Sequence, residues 1–225
     1  MNEQSNPTFT QQPKSNKVRV WDTFIRVFHW SLVALVVISY LSGEFEFEIH
    51  SYSGYAIFTL VCLRILWGFV GSRYARFKSF VYSPSNVIAY LKSMAKGNPK
   101  RFLGHNPAGG MMILALLTVL GTTTLSGMKL YGIEEGEGPF ANEYSISLVN
   151  QAYADSDKED HDKDKIHKDG VDEEAEEFWE EVHESSINLL LLLILLHVLG
   201  VVIASKQHKE NLVSAMITGD KPAIK

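Results

Sequence analysis

The sequence predicts an all-α fold, an integral membrane four-helix bundle with both termini cytoplasmic, and three observations carry that prediction. Four apolar runs lie near Phe24 to Ser42, Tyr52 to Val70, Met111 to Leu130 and Ile187 to Ala204. Each is close to the roughly 20 residues that cross a bilayer as helix. The segment between Gly71 and Gly110 carries seven basic residues, Arg73, Arg76, Lys78, Lys92, Lys96, Lys100 and Arg101, and no Asp or Glu. Such a segment stays in the cytoplasm. The connection from Tyr131 to His183 is instead strongly acidic and belongs outside. The mean hydropathy is near zero because these polar connections dilute the apolar runs.

Taken in order, residues 1–17 read as a flexible cytoplasmic tail, with Pro7 and Pro13 and no hydrophobic period. The polar residues of that tail precede the first run and no A-x-A-like site follows it, so the run reads as a span and not as a cleaved signal peptide. Residues 18–210 form the membrane domain, with spans at about 24–43, 50–71, 107–131 and 183–205, a cytoplasmic loop over 72–106 and an acidic periplasmic loop over 132–182. Within the cytoplasmic loop, SPSNVIAYLKSMAKG opens on cap-type residues and a proline and closes on glycine. A short amphipathic helix on the inner surface follows from that pattern. HNPAGG opens the third span, with Asn106 as cap and Pro107 in the first helical position. The small and hydroxyl residues from Gly121 to Gly127 allow close helix contact or a slim cavity. The stretch around Asp155 to Gly170 is too charged to pack and reads as disordered. Glu173 to Glu184 has helical spacing, with Phe178, Trp179 and Val182 on its apolar side, so the fourth helix extends out of the membrane to about Glu173. Residues 211–225 are a second cytoplasmic tail.

The histidines give the bundle a function. An ionisable side chain inside a span is a functional candidate by default, and the fourth span holds His183 and His197. Fourteen residues on an α-helix is a rise of roughly 21 Å and a rotation about 40° short of four turns. Both imidazoles therefore share a face, near opposite membrane surfaces. His29 lies fourteen residues before Gly43, which closes the first span, and His50 opens the second. If Gly43 and His183 mark one membrane face, His29 pairs with His197 and His50 with His183. Two imidazole pairs stacked in a bundle suit two haems, one above the other. Cys62 is the single cysteine, so there is no Cys-x-x-Cys-His attachment and any haem is non-covalent. Arg64, fourteen residues beyond His50, is a buried guanidinium at the depth of the other pair, where a haem propionate supplies its anion. Arg26, three residues before His29, is a weaker candidate of the same kind. Lys129 reads as an interface anchor that could serve the outer haem. His105 reads as a loop residue ahead of a helix start, with a quinone-side role as its alternative, His161 and His167 as part of a solvated stretch without a calcium-loop pattern, and His208 as a cytoplasmic surface residue.

The motifs WDTFIRVFHW, LWGFVGSRYARF, GHNPAGG and HVLGVVIASKQHKENLVSAMITG, in that order, resemble the bacterial di-haem cytochrome b family that includes cytochrome b561 and the b-type subunit of nickel-iron hydrogenases. The resemblance covers about Lys17 to Asp220. It implies a four-helix inner-membrane cytochrome with two bis-His haem b groups on His29, His50, His183 and His197. It implies electron transfer between the quinone pool and a periplasmic partner, a cytochrome c or a hydrogenase-like oxidoreductase, as a subunit and not a stand-alone enzyme. The expected partners are membrane lipid, quinone and that oxidoreductase, with a homodimer allowed for and no nucleic acid. The acidic loop departs from the family pattern. It serves either to steer a positively charged partner or as a linker. The quinone pocket is expected by the inner haem near Arg64 and the Arg73 to Arg76 turn, or by the outer haem under the third helix. The rival readings are a non-redox membrane anchor for a soluble enzyme and a superoxide or quinone oxidoreductase using the same haems.

Overall fold

Four of the helices begin at a residue whose side chain caps them. In the computed structural model, which describes residues 17–141 and 163–223, Asp22 accepts a hydrogen bond from the Ile25 amide at 2.9 Å and opens α1, Thr23–Ser42. α2 covers Phe47–Val70, α3 Pro84–Ala95 and α4 Pro107–Glu134. Asn106 caps α4 through the Gly109 amide at 2.7 Å with Pro107 in the first turn, as the sequence suggests. α5 runs over Lys163–His208, and a short α6, Leu212–Thr218, is capped by Asn211 and closed by Gly219 at φ 88°, a left-handed conformation that glycine adopts without strain.

Four stretches are long and apolar enough to cross a membrane: Thr23–Ser42, Glu48–Val70, Pro107–Glu134 and Glu173–His208. Apolar residues such as Val33, Val37, Leu192 and Leu199 are exposed along them. That is the expected inversion for helices facing lipid. α4 is the central element, packing on α2, α3 and most extensively on α5, while α1 packs on α2. The mid-bundle core gathers Ile57, Val61, Leu120 and Leu190.

Three sequence expectations change. Helix α5 starts at Lys163, so the part of the acidic segment from 163 to 170 is helical and not disordered. Residues 155–162 lie outside the described residues, as do residues 1–16 of the first tail. α2 starts at Phe47, three residues ahead of the expected span, so Glu48 lies in its first turn. The C-terminal tail is folded. β1, Lys17–Arg19, pairs antiparallel with β2, Asp220–Pro222, in the register Lys17 to Pro222, Val18 to Lys221 and Arg19 to Asp220. Val20, Trp21, Ile25, Ala75 and Ala215 form a core beneath this ribbon, so the described segments before α1 and after α5 pack together at one end of the bundle.

Candidate functional site

The depth argument pairs the histidines as the fold does. His50 on α2 faces His183 on α5 with ring centres 6.1 Å apart and planes at 84°. His29 on α1 faces His197 on α5 at 6.5 Å and 51°. These separations discriminate between chemistries. Two imidazoles joined by a direct N–H to N hydrogen bond of about 2.9 Å have centres roughly 5.2 Å apart at most. An imidazole nitrogen bonds a transition metal at about 2.0 Å and lies roughly 1.1 Å from its ring centre, so two rings in line on one metal stand about 6.2 Å apart. Both pairs stand too far apart for a direct hydrogen bond and within about 0.3 Å of the second spacing.

The ring orientations are set by the neighbouring backbone. Nδ1 of His50 lies 2.9 Å from the Ser39 carbonyl oxygen, and Nδ1 of His183 lies 2.9 Å from that of Thr123. A carbonyl only accepts, so each Nδ1 carries the proton and each Nε2 keeps its lone pair for a metal. Hydroxyls complete the shell: Ser39 Oγ is 3.4 Å from His50 Nδ1, and Ser126 Oγ is 3.1 Å from His183 Nδ1 while donating to the Thr123 carbonyl at 3.0 Å. Ser126 is fully buried. Ser186 donates to the His183 carbonyl at 2.8 Å, anchoring that turn of α5. Gly127 is required by the close approach of α4, since a Cβ there would sit 2.8 Å from His183 Cε1.

The other pair has different surroundings. Nδ1 of His29 is buried without a protein partner, and Trp30 stands edge-on to the His29 ring at 5.1 Å. Leu190, seven residues from both His183 and His197, is buried in the apolar layer that separates the pairs. That layer keeps the space between the two histidine pairs at low dielectric.

A haem fits the residues present. Each pair offers two opposed imidazoles that do not bond each other. Gly54, one turn after His50, Gly121 on α4 and Gly200, three residues after His197, have no heavy atom within 4 Å of a built Cβ, leaving room for a flat macrocycle. Among the described residues no group of three or more His, Cys, Asp or Glu is arranged to hold a bare metal ion. Both imidazoles on one iron leave no coordination position open, which suits electron transfer and not oxygen binding.

Arg64 is buried at 3% exposure, donates Nη2 to the Ala75 carbonyl at 3.1 Å, and stacks beside Phe77 and Phe80, while its Nη1 has no protein partner. An anion is the natural complement of that nitrogen. Arg26 is tied to the end of α6, donating Nη1 to the Ile217 carbonyl at 2.7 Å and Nη2 to Thr23 Oγ1 at 3.2 Å. Lys129 lies 4.4 Å from the Phe140 ring centre and 5.8 Å from that of Trp179, at the end of the His50 and His183 pair.

His105 is the residue that the sequence undervalued. Its ring packs 4.4 Å from Trp21 and 4.9 Å from Phe80, and its Nδ1 is buried without a protein partner. Burial first, then the positive charges of Arg64 and Lys221 and the proximity of His197, hold its pKa down at about 3, so the ring is neutral. Through Phe80 it neighbours Arg64. Its only sequence signal was the loop position ahead of Asn106 and Pro107. His208 is half-buried, with Nε2 3.5 Å from Tyr90 Oη, and not a free surface residue. His161 and the side chain of His167 lie outside the described residues.

A Ni/Fe-hydrogenase B-type cytochrome subunit of Azotobacter chroococcum mcd 1, described as probable, is similar to the chain at 26% identity over 161 residues, covering 57% of this chain and 65% of that protein. A protein of the same description from Rhizobium leguminosarum bv. viciae is 23% identical over 237 aligned residues, covering 91% of this chain and 88% of its own length. The Azotobacter vinelandii counterpart is 25% identical and covered over 65% of its length. No solved structure gives a significant match. The model of the prokaryotic cytochrome b561 family matches residues 20–219, a span that takes in the four membrane-length helices and both histidine pairs. The chain thus belongs to the prokaryotic cytochrome b561 family, as a multi-pass membrane protein that carries haem b and transfers electrons.

Proposed function

We propose that the chain conducts electrons across a bacterial inner membrane, between a periplasmic redox partner and the quinone pool, with two non-covalent haem b groups. His50 and His183 hold the periplasmic one and His29 and His197 the cytoplasmic one. The observation that carries this reading is the presence of two imidazole pairs, with ring centres 6.1 and 6.5 Å apart, which would hold one iron each. When bound, haem supplies reversible one-electron exchange at its iron.

The chain's own residues do the rest. The Ser39 and Thr123 carbonyls hold Nδ1–H of His50 and His183, which leaves each Nε2 lone pair free to bind iron. Arg64 offers its remaining Nη1 to a propionate of the cytoplasmic haem, and Arg26 is a second cation near that end. The layer of Ile57, Val61, Leu120 and Leu190 excludes water between the two sites. The hydrogenase subunit descriptions of the relatives support a hydrogenase-like partner, with a cytochrome c as the other periplasmic choice. We place the quinone at the cytoplasmic end, beside His105 and Arg64; the buried, partnerless Nδ1 of His105 supports that end over a site under α4 at the periplasmic side.

A reduced-minus-oxidised optical spectrum with haem quantitation on the purified protein, repeated for His29→Ala and His50→Ala, tests the reading. Two b haems per chain are expected, with each substitution removing a different one. A colourless wild-type protein overturns it and leaves a membrane anchor.

A further inference from the structure

The two histidine pairs are held by different devices, and the difference has a direction. At the His50 and His183 end both Nδ1 protons are directed onto backbone carbonyls at 2.9 Å, with the Ser39 and Ser126 hydroxyls alongside. At the other end Nδ1 of His29 is buried without a protein partner, and among the described residues neither His29 nor His197 makes a hydrogen bond to a protein acceptor. A carbonyl on Nδ1–H pulls the proton away from the ring and makes Nε2 a stronger donor, which favours the more highly charged ferric iron. Fixed charges act in the same sense. Glu134, Glu135, Glu137, Glu176, Glu180 and Glu184 crowd the His50 and His183 end against Lys129. At the opposite end Arg64, Arg26, Arg101 and Lys221 outnumber Asp22, which is offset by its own hydrogen-bond donors, and Glu210, which is shared between Arg101 and Lys221.

We infer that the carbonyl-bound His50 and His183 give their haem the lower reduction potential, and that His29 and His197 give theirs the higher. The inference rests on the two-haem reading above and adds its polarity. The downhill direction for one electron then runs from the acidic end of the bundle to the end where β1 and β2 pair. That order serves a reductant arriving at the acidic face and a quinone, which takes up two electrons and two protons, at the other. Ser126 is a positioning residue in this scheme. It reaches iron only through His183.

An optical redox titration of the purified, haem-loaded full chain tests the order. Two one-electron waves are expected, with at least a tenfold bias in electron sharing between them, which is about 59 mV for a one-electron couple. His29→Ala should retain the lower wave and His50→Ala the higher. Should either variant fail to fold, Ser126→Ala in the intact protein carries the test: it should raise the lower wave and leave the higher one in place. Retention of the higher wave in His29→Ala, or movement of the higher wave in Ser126→Ala, overturns the inference. Two haems in reversed order would sink the polarity alone, whereas a chain that binds no haem would sink the two-haem reading itself.

Discussion

Replacing Gly127 by alanine places one methyl group against the His183 ring, and the structure sets the size of the effect. The new Cβ would lie 2.8 Å from His183 Cε1, where carbon atoms prefer about 3.5–4.0 Å. The overlap of about 0.7 Å or more falls on an imidazole whose Nδ1 is 2.9 Å from the Thr123 carbonyl. Retreat by that amount stretches the bond to roughly 3.6 Å, beyond hydrogen-bonding range. Overpacking costs about 1–3 kcal/mol and the lost hydrogen bond about 1 kcal/mol. The sum of about 2–4 kcal/mol corresponds to roughly 30- to 700-fold weaker retention of the haem proposed to sit on His50 and His183. The assay is the haem-to-protein ratio of purified Gly127→Ala, followed by titration of added haem into the depleted protein. One haem is expected to remain, on His29 and His197, with the second recovered only at high concentration. A variant with two tightly held haems and the wild-type spectrum would show that α4 does not position His183.

Three further outcomes follow from the packing at the end where β1 and β2 pair. His105 has its pKa held at about 3, by burial first and then by Arg64, Lys221 and His197, below the ordinary histidine value of 6.5. Its contribution is complete above pH 6.5 and is lost as pH falls from there toward 3, by about 2 kcal/mol at pH 5. Thermal melts in detergent should therefore show an acid-side decline that His105→Phe flattens; an unchanged decline in the variant would remove His105 as its source. Asp22 accepts from Ser72 Oγ at 2.5 Å and Trp67 Nε1 at 3.1 Å besides capping α1, so Asp22→Ala should destabilise by about 3–5 kcal/mol, read as a lowered melting temperature. Burial opposes its ionisation, but the bonds from Ser72, Ile25 and Trp67 and the charge of Arg64 win and lower its pKa below 3.8, so its share of stability is present above that pH and lost below it. Finally, Glu210 bridges Arg101 and Lys221, and Lys221 is buried with further bonds to the Phe102 and Leu103 carbonyls. Glu210→Gln leaves a buried cation unpaired and should cost about 3–5 kcal/mol, seen as faster proteolysis at the chain ends; Glu210→Gln with Lys221→Met should recover part of the loss.

The sequence carried the membrane-length helices and the pairing of the histidines, because both follow from one-dimensional regularities. Apolar run length is matched to bilayer thickness, and the fourteen-residue spacings convert to depth and facing on a regular helix. The caps at Asn106 and Ser83 were legible for the same reason, since a capping side chain reaches only three residues along the chain.

Contacts between residues far apart in sequence were not legible. The Thr123 carbonyl that orients His183 is a backbone atom sixty positions away, and no residue type announces it. His105 looked like a loop residue because its burial depends on Trp21 and Phe80 arriving from two other segments. The C-terminal tail looked free because β2 finds its partner at the opposite end of the chain. Which side chains can ligate was thus determined by sequence, through periodicity and chemistry. Which nitrogen each ligand presents, what lies behind it and which end of the bundle is sealed were decided only by tertiary packing, because hydrogen bonds and burial depend on where separate helices bring their backbones together.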